Sequence, residues 1–137
     1  MYIEMKKVLL TAIAVLTFLA AKGEDNPLWM RYSAISPDGS QIAFCYKGDI
    51  YKVSSSGGKA VQLTTHPSYD TNPIWSPDGS KIAFASDRKG GLDIYLMSAE
   101  GGEPTRLTTF SGNETPVAFR DQEHIIYSSY TQPDSKN

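Results

Sequence analysis

An all-β fold is predicted by three observations, and a fourth, an internal repeat, makes it a partial β-propeller. Short strand patterns recur at regular spacing, tight-turn signals separate them, and no sustained 3.6-residue apolar pattern follows Gly23. The chain also repeats itself: Ser36-Pro37-Asp38-Gly39-Ser40-Gln41-Ile42-Ala43-Phe44 returns 40 residues later as Ser76-Pro77-Asp78-Gly79-Ser80-Lys81-Ile82-Ala83-Phe84. Asp49-Ile50-Tyr51 returns as Asp93-Ile94-Tyr95, Gly57-Gly58 as Gly101-Gly102, and Leu63-Thr64-Thr65 as Leu107-Thr108-Thr109, each 44 residues on. A period of roughly 40 residues built from short strands marks propeller blades, whereas helical solenoids carry a 3.6-residue pattern. The expectation is about two and a half four-stranded antiparallel blades, preceded by a signal peptide. An antiparallel sandwich shares the short strands but rarely spells one unit twice.

The first element in chain order is the leader. Lys6-Lys7 precede an uncharged apolar run from Val8 to Ala21, which Lys22 and Gly23 then break. That layout reads residues 1–23 as a secretory signal peptide, with Met5 a second candidate start and cleavage near Ala21 or Gly23. The run is shorter than the ~20 residues of a membrane-spanning helix, so no stable anchor is expected after cleavage. No cysteine follows it to carry a lipid. The mature chain is therefore expected in the periplasm or secreted.

Residues 24–137 read as the incomplete propeller, with blade 1 at about 31–65, blade 2 at about 72–109 and blade 3 beginning at about 115. In blade 2 the strands fall at Asn72 to Ser76, Lys81 to Ser86, Leu92 to Ser98 and Pro104 to Thr108. Pro37, Asp38 and Gly39, and their copies Pro77, Asp78 and Gly79, form the structural turn motif between the first two strands. Proline presets φ, aspartate tolerates the bridge region, and glycine takes the left-handed position. Along the second strand Ile82 and Phe84 share one face, Ala83 and Ala85 the other, and neither face is polar. A sheet buried on both sides is what a blade between two blades requires. The four residues by which blade 2 exceeds blade 1 lie between Phe84 and Asp93, so Asp87 to Asp93 reads as an exposed hairpin loop. A third copy starts at Thr115-Pro116-Val117-Ala118-Phe119 and has lost the Pro and Gly of its turn.

Little in the sequence nominates chemistry. Removing residues 1–23 moves the formal charge from −2 to −4, which argues against nucleic acid as a partner. Cys45, the single cysteine, aligns with Ala85 and reads as a small buried side chain. There is no nucleophile elbow, phosphate loop, paired Cys motif or His-Glu-x-x-His. His66 and His124 read as surface residues, and the turn aspartates are explained by their turns without calcium. No catalytic, cofactor-binding or metal-binding residue is therefore assigned. Trp75 and Phe119 could line a channel, but burial between blades is the stronger expectation, as it is for Tyr51 and Tyr95. Closure takes at least ~4 blades, so further blades of a longer polypeptide are expected partners.

Trp75-Ser76-Pro77-Asp78-Gly79-Ser80-Lys81-Ile82-Ala83-Phe84, followed by Asp93-Ile94-Tyr95, Gly101-Gly102-Glu103-Pro104 and Arg106-Leu107-Thr108, resembles the Pro-Asp repeat. That repeat builds the propellers of the TolB and tricorn-protease families and of some prolyl-oligopeptidase relatives. Asn26 to Tyr32, running from the leader into Ile35-Ser36-Pro37, and Gly112 to Pro116 are similar to secreted tricorn-like chains. A TolB would carry an α/β domain before its propeller, and Gly23 to Ser36 leaves no room for one. The resemblance implies a periplasmic serine peptidase whose propeller admits or sorts peptides for a tail-specific-type protease domain beyond Asn137. None of that family's catalytic residues transfers to this chain. The other family implies a noncatalytic scaffold that binds envelope proteins.

Overall fold

The computed structural model describes residues 29–130; the signal peptide expected over residues 1–23 lies outside them. Among the described residues every helix or strand is a strand, and there are ten: β1 Arg31–Ile35, β2 Gln41–Tyr46, β3 Asp49–Ser54, β4 Val61–Gln62, β5 Asp70–Trp75, β6 Lys81–Lys89, β7 Gly91–Ser98, β8 Thr105–Arg106, β9 Asn113–Phe119 and β10 Ile125–Tyr130. They form two four-stranded sheets, ordered β1-β2-β3-β4 and β5-β6-β7-β8, and a two-stranded sheet of β9 and β10. Every pairing is antiparallel. The described residues are thus two propeller blades and the inner half of a third.

Local chemistry fixes each element. Gly39 and Gly79 close the Pro-Asp-Gly turns with φ of 74° and 72°, a conformation in which a Cβ would be strained. Each first strand carries a one-residue bulge, between Arg31 and Ala34 in β1 and between Thr71 and Ile74 in β5. The bulged residues Tyr32 and Asn72 have φ of 53° and 52°. Asparagine adopts that region readily; tyrosine does so only against steric resistance. The outer strands are shorter than the sequence suggests: β8 is Thr105 and Arg106 rather than Pro104 to Thr108, with one further backbone bond from Leu107 N to Ile94 O at 2.8 Å.

Asp87 to Asp93 is a hairpin exposed at Asp87, Lys89, Gly90 and Gly91, as expected, but most of it is strand rather than loop. β6 continues to Lys89 and β7 begins at Gly91, so the additional residues extend the hairpin into an arm that turns at Gly90. Arg88 and Asp93 are buried in it. The sequence pattern of charges and glycines suggested solvent; burial wins because both charges find partners of opposite sign.

Packing follows the alternation along the second strands. Ile82, Ala83, Phe84 and Ala85 are all 0% exposed, so the middle blade is covered on both faces. Ile82 and Phe84 join Ala43, Cys45, Ile50, Leu63, Tyr95, Met97 and Ala99 in one cluster. The large face of blade 2 therefore sits on the small residues of blade 1. Burying a side chain such as Phe84 contributes about 1.5–3 kcal/mol relative to exposure. Trp75 packs against the same cluster, and its Nε1 donates to the Ala34 carbonyl at 3.0 Å. β5 packs on β1, β2 and β3, and β9 packs on β5, β6 and β7, so each new blade docks by its first strand.

Among the described residues, both ends of this stack expose apolar side chains. Met30, Ile35 and Val61 are exposed on blade 1, and Val117, Ile126, Tyr127 and Tyr130 on blade 3.

Candidate functional site

The Pro-Asp-Gly turns are the most sharply defined polar constellations in the chain. Asp38 Oδ1 accepts from Ser36 Oγ at 2.6 Å and from Ser40 N at 3.1 Å, and its Oδ2 accepts from Ser40 Oγ at 2.7 Å. Ser36 Oγ in turn accepts from Gln41 N at 2.9 Å. Asp78 repeats the pattern with Ser76, Ser80 and Lys81. The hydroxyl and amide donors, Ser36 first for Asp38 and Ser76 first for Asp78, lower both carboxyl groups to a pKa of about 2. Such an anion already has its donors, and its role here is to fix the turn. In blade 3, Asp121 takes donors from Glu123 N, His124 N and His124 Nδ1, and its pKa is likewise lowered, chiefly by the Glu123 amide. Arg120 N reaches His124 O at 2.9 Å, closing this turn one residue sooner than Ser76 N to Lys81 O.

At the opposite end of the blades, the Asp-Ile-Tyr and Leu-Thr-Thr repeats prove to be two halves of one device. Asp49 accepts from Gln62 Nε2 at 3.0 Å and from Thr64 Oγ1 at 3.4 Å, while Thr64 Oγ1 accepts from Ile50 N. In blade 2, Arg106 Nη2 lies 2.8 Å from Asp93 Oδ2, and Thr108 Oγ1 accepts from Ile94 N. Each pair ties strand three to the outer strand or its extension. Burial pushes the Asp49 carboxyl up, with the nearby Asp70 charge adding to it. Tyr51 stacks on Phe44 and Tyr95 on Phe84, at 5.8 and 6.0 Å between ring centres.

Between blades 1 and 2 lies a polar cluster that no motif announces. Asp70, fully buried, receives Arg88 Nη2 on both oxygens at 2.9 and 3.1 Å. Arg88 also donates from Nε to Ser86 Oγ at 2.9 Å, and its guanidinium stands over the Tyr95 and Phe84 rings at 4.7 and 5.6 Å. Ser68 Oγ lies 2.8 Å from His66 Nδ1 and 3.3 Å from Asp70 Oδ1. Serine, histidine and aspartate thus meet, but not as a hydrolytic triad. His66 Nδ1 also accepts from the Ser68 backbone N–H at 3.1 Å, and the aspartate bonds the serine and Arg88 rather than the imidazole. A triad needs the carboxylate on the histidine and the other ring nitrogen on the nucleophile. Both histidines are exposed.

Register reveals a further equivalence. Asp70 pairs with Ser86, and Glu114 pairs with Ser129 at the same station of blade 3. Glu114 is buried, and its Oε2, like Asp93 Oδ1, Tyr95 OH and Arg106 Nε, has no hydrogen-bond partner among the described residues. Among the described residues no group of three or more His, Cys, Asp or Glu side chains is placed to hold a metal ion.

Four-stranded antiparallel blades stacked large face on small, each stapled by an aspartate turn, define a β-propeller of the Pro-Asp repeat type. The chain belongs to the family of the tricorn protease N-terminal beta propeller domain, whose model matches residues 27–137. It is similar to the Tol-Pal system protein TolB of Bordetella pertussis, with 49% identity over 47 residues, 34% of this chain and 11% of that protein. An assigned TolB structure from Agrobacterium tumefaciens superposes with a TM-score of 0.71 at 26% identity, covering 77% of this chain and 40% of that one. The tricorn protease crystal structure gives a TM-score of 0.63 at 25% identity, over 74% of this chain and 11% of that one. The chain spans only a small part of each of these relatives.

Proposed function

We propose that residues 24–137 are a noncatalytic propeller segment of a tricorn-like periplasmic serine peptidase, admitting or sorting peptides for a protease domain outside these 137 residues. The observation that carries this reading is the match of the tricorn N-terminal propeller family over residues 27–137. The exposed apolar side chains at both ends of the blade stack support it, since they call for further blades of the same polypeptide. A second reading, favoured by the 49% identity to a TolB over 47 residues, is a propeller scaffold that binds envelope proteins without catalysis.

An antiserum raised against this chain tests the two. Applied to a periplasmic extract, it should precipitate a polypeptide much longer than 137 residues that a fluorophosphonate serine-hydrolase probe labels. An unlabelled polypeptide that brings down envelope proteins would establish the second reading and overturn the first.

A further inference from the structure

Blade 1 turns from β2 to β3 at Lys47-Gly48, with φ of 53° and 88°, four residues sooner than blade 2 does. Where blade 2 carries its arm, blade 1 leaves a notch of about 410 Å³, bounded by Trp29, Arg31, Cys45, Lys47, Gly48 and Tyr69. Its floor is buried Cys45 and Gly48, and a Cβ on Gly48 would come within 3.3 Å of the Tyr69 ring. Its rims are two large aromatics that remain open, Trp29 at 63% and Tyr69 at 43% exposure.

The side chains that line the notch include two cations and no acid; Asp49 and Asp70 lie behind its Cys45 floor, and Asp87 accepts from the Tyr69 backbone N–H at 2.7 Å. Arg31 stands 5.7 Å from the centre of the Trp29 ring, and Lys47 Nζ stands 5.3 Å from that of Tyr46. Among the described residues neither has a carboxylate within 4.0 Å, whereas Lys52, Arg88 and Arg106 each have one. Aromatic faces restrict where the two charges can move, which holds them ready for a charge-assisted hydrogen bond. Two cations suit one carboxylate. They do not suit a polyanion, which the net charge of −2 over the whole chain would repel.

We propose that this notch binds the side-chain carboxylate of an acidic residue in an extended peptide, with a neighbouring apolar residue seated between Trp29 and Tyr69. The word peptide rests on the function proposed above; the preference for a carboxylate does not. Arg31 supplies a planar donor pair, Lys47 a second positive charge, and the two rims the apolar contact area.

The test uses the full chain, captured at low density on a biosensor surface, and blocked peptides whose only carboxylate is the one in question. Ac-Gly-Phe-Asp-Gly-Phe-NH2 should bind at least tenfold more tightly than Ac-Gly-Phe-Asn-Gly-Phe-NH2 at low ionic strength. Replacing Arg31→Gln and Lys47→Gln together should erase that difference while leaving the circular dichroism and thermal midpoint unchanged, because both side chains are exposed. A third probe, the Asn peptide with a free C-terminal carboxylate, separates side chain from chain end. Equal binding of the Asp and Asn peptides, undiminished preference in the double variant, or tighter binding of the free-ended probe than of the Asp peptide would each overturn the proposal. Failure of the peptidase reading would show as absent fluorophosphonate labelling and would leave the Asp-over-Asn preference standing.

Discussion

Arg88 reaches back along the arm of β6 to place Nη2 on both carboxylate oxygens of Asp70, the first residue of β5, with the pair almost entirely out of water. Two charges 18 residues apart in sequence thereby pin the arm to the strand that docks blade 2 on blade 1.

Breaking one side of this pair leaves the other charge buried and alone. Arg88→Met is expected to lower stability by about 3–5 kcal/mol, and adding Asp70→Asn should recover much of the loss, because replacing both charges removes the stranded ion. Urea denaturation of the two variants measures this. A double variant no more stable than Arg88→Met would refute the pairing as the cause.

The turn aspartates set an acid-dependent component. Asp78 has a folded-state pKa of about 2, below its unfolded value near 3.9, so its contribution is complete above about pH 4 and disappears as pH falls through about 2. Asp78→Asn removes that component. The stability gap between wild type and Asp78→Asn should therefore shrink on going from pH 5 to pH 2; a gap that stays constant over the interval contradicts the assignment.

What the sequence made legible was whatever it said twice. The Pro-Asp-Gly turns, the alternation at Ile82 to Ala85 and the four-strand period could be read because a second copy confirmed each. Asp49-Ile50-Tyr51 and Leu63-Thr64-Thr65 were visible as repeats, but their connection was not, since a hydrogen bond from Gln62 to Asp49 leaves no mark on spacing. Arg88 occurs in blade 2 alone, so comparison of copies offered nothing against which to read it, and its loop-like surroundings argued for solvent. Glu114 stands at the 44-residue spacing from Asp70, but the prolines beside them, Pro73 and Pro116, are 43 apart because the bulge in β9 falls between Pro116 and Ala118, and alignment on the prolines hides the match. The meeting of His66 with Ser68 depends on a tight local turn of the connector, for which the sequence carried no repeat signal.

Trp75 joins two blades through its indole N–H as well as through packing. Trp75→Phe keeps most of the apolar contact and loses the bond to Ala34 O, so stability should fall by about 0.5–1.5 kcal/mol. Thermal unfolding compared with an equally exposed control substitution would detect it; an unchanged midpoint would mean that water replaces the bond without loss.

The exposed apolar ends of the stack should make the 137-residue chain associate. Sedimentation velocity is expected to show a weight-average mass that rises with concentration, and Ile126→Lys with Tyr130→Lys should reduce it by charging the exposed face of blade 3. A single monomeric species with a sharp thermal transition, present across concentrations without these substitutions, would show that the exposed faces need no cover.

Because bulky side chains on one side of a unit meet slender ones on the previous unit, every module is a plug on one flank and a socket on the other. A tandem copy of the coding segment from Asp70 to Phe110 would arrive with both fittings already made, and could be spliced in only in the forward orientation. The same asymmetry gives the array a built-in direction of growth: lengthening it calls for duplication, whereas reversing the order of two units would set plug against plug.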